Sequence, residues 1–257
     1  INVEGTEVDL RVSTLPVSYG EKVVMRLLRK APKVPTLPEL GLRGLALKNL
    51  IEAIERPHGI ILVVGPTGSG KTTTLYSILD KVATPKVNVV TIEDPVEYQM
   101  KGVNQVQVNV QAGLTFASAL RSFLRQDPNI MMVGEIRDTE TAELAVNAAL
   151  TGHLVFSTLH TNDASGAAPR MMDMGVEPFL LTSALTCVVA QRVLRKVCPH
   201  CFQEIEIPRE IEPEVKATLG PIYGMIEERW KKEGKKITVP KIVGCDKCNN
   251  TGYLGRI

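Results

Sequence analysis

Ile60-Ile61-Leu62-Val63-Val64-Gly65-Pro66-Thr67-Gly68-Ser69-Gly70-Lys71-Thr72 is the stretch on which the fold turns. Ile60 to Val64 form a continuous apolar run, suited to a strand buried on both faces of a parallel sheet. Gly65 to Thr72 match G-x-x-x-x-G-K-[ST]. Glycines let the backbone wrap an anion with its N–H groups pointing inward, and the helix that follows adds its positive N-terminus. Lys71 is expected to reach the β- and γ-phosphates of a nucleotide, and Thr72 to hold Mg²⁺ through its hydroxyl. Gly65, Pro66, Thr67, Gly68, Ser69, Gly70, Lys71, Thr72 and Thr73 are therefore the expected nucleotide-binding residues.

Working outward, a helix is expected from Thr72 to Val82, then strands at Val87 to Ile92, Ile130 to Val133 and Leu154 to Ser157. Helices at about Phe116 to Arg125 and Thr139 to Leu150 fall between them. Alternating strands and helices predict an α/β domain with a mostly parallel sheet covered on both faces. Upstream, Leu45 to Ile54 has helical periodicity, and Lys30 to Pro38 is Pro- and Lys-rich and reads as a linker. Before it, Val8, Leu10, Val12 and later Val23, Met25, Leu27 alternate with polar residues, as strands do, with a turn near Tyr19-Gly20. After Asn162 the chain reads as mostly helical, with Gly175 and Pro178 between two helices. Cys187 falls in an apolar stretch read as helical core. Residues 209 to 236 are charged and helix-prone.

Two strand ends are acidic. Thr91-Ile92-Glu93-Asp94-Pro95-Val96-Glu97 closes one, and Met131-Met132-Val133-Gly134-Glu135 the next. Ligands of open α/β sheets bind beyond the carboxyl ends of strands, where one carboxylate is needed to manage Mg²⁺ and one to activate water. Residue types alone leave the two roles open among these carboxylates, Glu93, Asp94, Glu97 and Glu135.

Four of the five cysteines form two C-x-x-C pairs, Cys198/Cys201 and Cys245/Cys248. Two such turns can complete a tetrahedron of thiolates, so structural zinc is expected. A redox dithiol needs only one pair. The separation exceeds ordinary zinc-ribbon spacing, and a helical hairpin from Arg209 to Lys236 accounts for the excess. A net charge of +2 and 4% aromatic residues disfavour a protein that grips nucleic acid directly. No apolar run reaches the length of a membrane span and no signal peptide opens the chain. The expected location is cytoplasmic, and a start at Ile1 suggests a fragment.

The motifs together resemble the type II/type IV secretion ATPases, assembly branch (PilB/GspE-like motors). Gly65 to Thr72 resembles the family's Walker A. Thr91 to Tyr98 resembles its Asp box, Leu124 to Asp138 its Walker B region, and Thr151 to Asn162 its His box. The resemblance implies a RecA-like ATPase domain at 35–195, the end of a small N-terminal α+β domain with its linker at 1–34, and a zinc-binding tetracysteine subdomain at 196–257. It implies longer flanks on both sides. It also implies that Glu97 activates water, that Glu135 manages Mg²⁺, with Glu93 as the alternative for either, and that His160 senses the γ-phosphate. His153 stays open between such a role and a structural one. Arg11 and Arg26 match family arginines that reach nucleotide phosphates. By the same resemblance the chain forms a ring, expected to be a hexamer, at the inner face of the inner membrane. There it uses ATP, Mg²⁺ and Zn²⁺ and pushes on a membrane platform protein. A pilus-retraction motor, a nucleic-acid translocase and a non-hydrolysing scaffold are the alternatives. The paired cysteines disfavour the first, charge and aromatics the second, and intact Lys71, Thr72, Glu97 and Glu135 the third.

Overall fold

A computed structural model of the chain describes residues 2–3, 6–29, 34–232, 234 and 236–257, with the backbone alone at 2–3, 6–9, 11 and 26–29. The chain divides into two compact units, Ile1–Arg192 and Val193–Ile257.

The first unit opens with an antiparallel sheet of β1 (Asn2–Val3), β2 (Thr6–Val17) and β3 (Gly20–Arg29). Its long hairpin runs in register from Val8 opposite Arg29 to Val17 opposite Gly20, so Ser18 and Tyr19 make the turn. Arg11 stands opposite Arg26, and the side chains of both lie outside the described residues. So do residues 30–33 of the expected linker.

The α/β domain follows as α1 (Gly44–Ile54), β4 (Gly59–Val64), α2 (Lys71–Val82), β5 (Val89–Glu93), β6 (Asn104–Gln107), α3 (Phe116–Phe123), β7 (Ile130–Val133), α4 (Thr139–Leu150), β8 (Leu154–Leu159), α5 (Ala167–Asp173), α6 (Pro178–Ala184) and β9 (Leu185–Ala190). Six strands form one sheet in the order β6-β5-β7-β8-β4-β9, every pairing parallel. The run Ile60 to Val64 is wholly buried because the sheet is covered twice. Ile60, Leu62 and Val64 join one apolar cluster with residues of α3, α4, α5 and α6. Ile61 and Val63 join a second with Leu50 of α1 and Leu75, Tyr76 and Leu79 of α2. That split is the two-residue period of a strand, and each such side chain contributes roughly 1.5–3 kcal/mol of burial.

Helix ends follow from local chemistry. Thr115 and Ser118 form a reciprocal capping box at α3. The Asp138 carboxylate accepts the Thr141 N–H at 2.8 Å and starts α4. Gly175 takes φ +87° after α5, and Pro178 opens α6.

Two strands depart from the reading of the sequence. β6 is the polar edge segment Asn104-Gln105-Val106-Gln107, which carries no apolar signal. β9 was expected to be helix, but α6 runs straight into it without a turn residue, and Thr186, Val188 and Val189 are β-branched. Cys187 therefore lies half-buried on a strand, packed against the second cluster, and burial pushes its thiol pKa up.

The second unit has β10 (Arg195–Val197), β11 (Gln203–Glu206), α7 (Glu212–Leu219), α8 (Pro221–Lys232), β12 (Thr238–Lys241) and β13 (Tyr253–Arg256). β10 pairs with β13 and β11 with β12, both antiparallel. The helical pair α7–α8 is thus an insertion carried on the β11–β12 ladder.

Candidate active site

All six strands of the main sheet run the same way, so their carboxyl ends share one edge. Gly65, Glu93, Glu135, His160 and Gln191 stand at or just past those ends. His153 stands at the other edge, before β8. Its Nδ1 lies 2.9 Å from the Ala148 carbonyl, and its own carbonyl accepts the Gly59 N–H at 3.1 Å. His153 is a structural hydrogen-bonder.

Between β4 and α2 the loop turns through glycines with positive φ. Gly65, at φ +146°, passes so close to its neighbours that a Cβ would lie 2.4 Å from the Gln191 carbonyl and 2.7 Å from Ser69 Oγ. Gly70, left-handed at φ 86°, is the N-cap of α2 and brings no side-chain cap. The first N–H groups of α2 are therefore left to an external acceptor. The buried Ser69 hydroxyl has no hydrogen-bond partner among the described residues. Lys71 is buried, and its Nζ donates to the carbonyls of Gly65 and Pro66 at 2.9 and 3.1 Å. Burial lowers its pKa, opposed by the charge of Glu135. Thr72 is exposed at the mouth of the loop. Close-packed glycines, uncapped N–H groups, an unpartnered hydroxyl and one cation fit a polyphosphate, with Thr72 free to reach its metal.

Glu135 leaves β7 with its side chain 14% exposed, between two partners. Arg137 lies 2.6 Å from one carboxylate oxygen and His160 Nε2 3.2 Å from the other. The segment is pinned from both sides. Gly134 N–H donates to the Ile92 carbonyl at 2.8 Å, and Ile136 N–H to the Thr158 carbonyl at 3.1 Å. The structure thus brings Lys71, Glu135 and His160 together. Arg137 adds a second cation that the motif contained but the residue-level reading left without a role.

Glu93 and Glu97 differ in kind. Glu93 is 2% exposed and accepts from Tyr76, Thr91 and Gln105. Glu97 is exposed, and its backbone N–H donates to the Tyr76 hydroxyl at 3.2 Å. On the far side of the loop, Gln191 receives the Thr74 hydroxyl at 2.7 Å. Arg192 donates to the Asn162 carbonyl at 3.3 Å. Tyr76, Gln105, Gln191 and Arg192 had no signal in the sequence, because the sheet order alone brings them to this edge.

The family described as type II/IV secretion system protein matches residues 1–257. The chain belongs to that family. It is 53% identical over 250 residues to the type IV pilus assembly ATPase PilB of Thermus thermophilus, covering 97% of this chain and 27% of that protein. It is 51% identical over 257 residues to the type II secretion system protein E of Aeromonas hydrophila, covering all of this chain and 48% of that protein. The chain thus spans about half or less of the length of these relatives. Among solved structures it resembles the pilus retraction motor PilT with bound ADP, at 30% identity and a TM-score of 0.65, covering 93% of this chain and 74% of that one.

The second unit holds the cysteine cluster. β10 and β13 pair side by side, and the Cys198 N–H donates to the Gly252 carbonyl at 2.9 Å. This sets the two C-x-x-C turns against each other. The four Sγ atoms lie within 4.8 Å of one another, with Cys245–Cys248 at 3.7 Å and Cys201–Cys248 at 3.9 Å. A tetrahedral site with Zn–S near 2.3 Å has S–S edges of about 3.8 Å, whereas a disulfide needs about 2.05 Å. Burial raises the Cys248 thiol pKa, yet donors from the Cys245 and Gly252 N–H groups outweigh it and hold the thiol at about 6. Cys201 is pushed up to about 12 by burial and by the neighbouring thiols. The cluster thus favours one thiolate while the facing Cys201 thiol resists ionising. The donor set fits zinc.

Proposed function

We propose that this chain is the core of an ATP-hydrolysing, hexameric motor. It powers type IV pilus assembly or type II secretion pseudopilus extension through an inner-membrane platform protein. The observation that carries the reading is the convergence of Lys71, Glu135 and His160 beside the loop Gly65 to Thr72 on one sheet edge. High identity to a pilus assembly ATPase and a type II secretion protein supports the direction of work. In both named relatives the match runs through the cysteine-bearing segment as well.

Each residue then has a task. Loop N–H groups and the start of α2 hold the β-phosphate. Lys71 exchanges the Gly65 and Pro66 carbonyls for phosphate oxygens. Thr72 and Glu135 would hold Mg²⁺, with Arg137 and His160 fixing the two oxygens of Glu135. Mg²⁺, when bound, neutralises charge on the β- and γ-phosphate oxygens. Glu97, exposed beyond β5, takes the proton of the attacking water. His160, held by Glu135, senses the γ-phosphate. Arg11 and Arg26, opposite one another on the hairpin, supply charge to the phosphates from the N-terminal segment. Cys198, Cys201, Cys245 and Cys248 hold Zn²⁺, which ties the two turns of the second unit together. The protein works at the cytoplasmic face of the inner membrane; among the described residues no helix is long and apolar enough to cross it.

The test is genetic. Removing the protein from its host abolishes extension of the pilus or pseudopilus, and the wild-type protein restores it where Lys71→Ala does not. Normal fibre extension without the protein, or loss of retraction alone, contradicts the assignment.

A further inference from the structure

The acidic turn that carries Glu97 is held by side chains the hydrolysis scheme does not use. Glu93 ends β5 and is 2% exposed. One of its oxygens accepts the Tyr76 hydroxyl. The other accepts the Thr91 hydroxyl at 2.6 Å and Gln105 Nε2 at 3.2 Å. Two of these donors also grip the turn. The Tyr76 hydroxyl accepts the Glu97 N–H at 3.2 Å. Gln105 Nε2 lies 3.2 Å from the Tyr98 carbonyl, and Gln105 Oε1 accepts the Met100 N–H at 2.7 Å. Backbone groups at Glu97, Tyr98 and Met100 are thus fixed through one buried carboxylate.

The placement of Tyr76 matters. It is fully buried on α2, one and a half turns after Lys71, with Tyr98 edge-on to it at 4.5 Å. The helix that starts at the phosphate loop is therefore the helix that holds the turn. Glu93, with three donors on its oxygens and 2% exposure, is the hub of this network, shielded from the solvent that a water-activating base must reach.

We propose that Tyr76 and Gln105, gathered by Glu93, are positioning residues that fix the backbone of Glu97 against the phosphate loop and so set where its carboxylate meets the attacking water. This rests on the reading of Glu97 as the water-activating residue. A displacement near 1 Å can cost on the order of a hundredfold in rate while leaving ground-state binding intact. The hydroxyl of Tyr76 is removable without loss of the ring that packs against Tyr98, which makes the effect separable from packing.

The experiment uses the complete protein in steady-state ATP turnover, nucleotide titration and hydrogen exchange. Tyr76→Phe lowers kcat by about tenfold or more, leaves KM and Mg-ATP affinity within about twofold, and speeds amide exchange at residues 96–100. In a Glu97→Gln background the same substitution causes no further loss, because it acts through Glu97. If Glu97→Gln alone turns over normally, the role of Glu97 fails. If Glu97→Gln is inactive while Tyr76→Phe keeps its kcat, or if their losses multiply, the positioning role fails and that of Glu97 stands. Should Tyr76→Phe not fold, Gln105→Met is judged by the same three readouts.

Discussion

Glu135 is clasped by a guanidinium and an imidazole, whereas Glu97 is exposed beyond a pinned backbone, and their tasks should separate in measurement. A residue that only activates water acts in the transition state, so Glu97→Gln keeps Mg-ATP affinity and loses roughly 10²–10⁴ in turnover. A residue that manages the metal acts on the ground state too, so Glu135→Gln also shifts the Mg²⁺ dependence of binding. Nucleotide affinity at several Mg²⁺ concentrations decides between them. Normal Mg-ATP binding by Glu135→Gln with lost Mg²⁺ affinity in Glu97→Gln reverses the roles. Tyr98 offers a pH test of the same region. Its phenol is pushed up to about 12 by burial and then by the charges of Asp80, Glu93 and Glu97, against about 10 when unfolded. The folded state disfavours the phenolate, so this contribution to stability is full below about pH 10 and is lost as pH rises through 12. The hydroxyl has no hydrogen-bond partner among the described residues. Tyr98→Phe therefore changes stability by no more than about 1 kcal/mol at pH 7, where no hydrogen bond is lost, and moves the alkaline unfolding midpoint upward. Equal alkaline midpoints for both proteins would contradict this.

Among the elements, the cysteine turns make the most exposed claim. The cluster sits on two short strands and two turns, and among the described residues of this unit the buried apolar side chains are Cys198, Tyr223 and Cys248, so bound zinc should carry much of its local order. Metal analysis should find about one zinc per chain. Chelation should raise hydrogen exchange across 193–257 and leave β4 and α2 protected. A metal-free protein with unchanged protection there rules the site out. This cluster was readable in advance because C-x-x-C spacing is local chemistry. The strands β4, β7 and β8 were readable as well, because burial on both faces writes a continuous apolar run. β6 and β9 were not. Edge position leaves Asn104 to Gln107 polar, and the tertiary pairing of Leu185 to Ala190 with β4 overrides a stretch that periodicity cannot tell from helix. The roles of Glu93 and His153 were unreadable for the same reason. One is set by side chains from α2 and β6, and the other by which edge of a parallel sheet the residue starts from.

At the scale of the molecule, six parallel strands place their carboxyl ends on one edge, and this is why residues spread from Gly65 to Gln191 meet there. The phosphate loop was legible as a motif; its partners Arg137, Tyr76, Gln105 and Gln191 emerged only when the sheet order was known. The chain spans about half or less of its relatives, so the proposed turnover is to be measured on the complete protein. The most direct test of the account is steady-state ATP hydrolysis by that complete protein beside its Lys71→Ala variant. The Lys71 ammonium donates to two loop carbonyls, so Lys71→Ala removes its charge without disturbing the apolar clusters. Mg²⁺-dependent turnover is expected in the wild type and, with fold and oligomeric state preserved, a loss of at least about a hundredfold in Lys71→Ala. Equal turnover by a folded Lys71→Ala protein would contradict it.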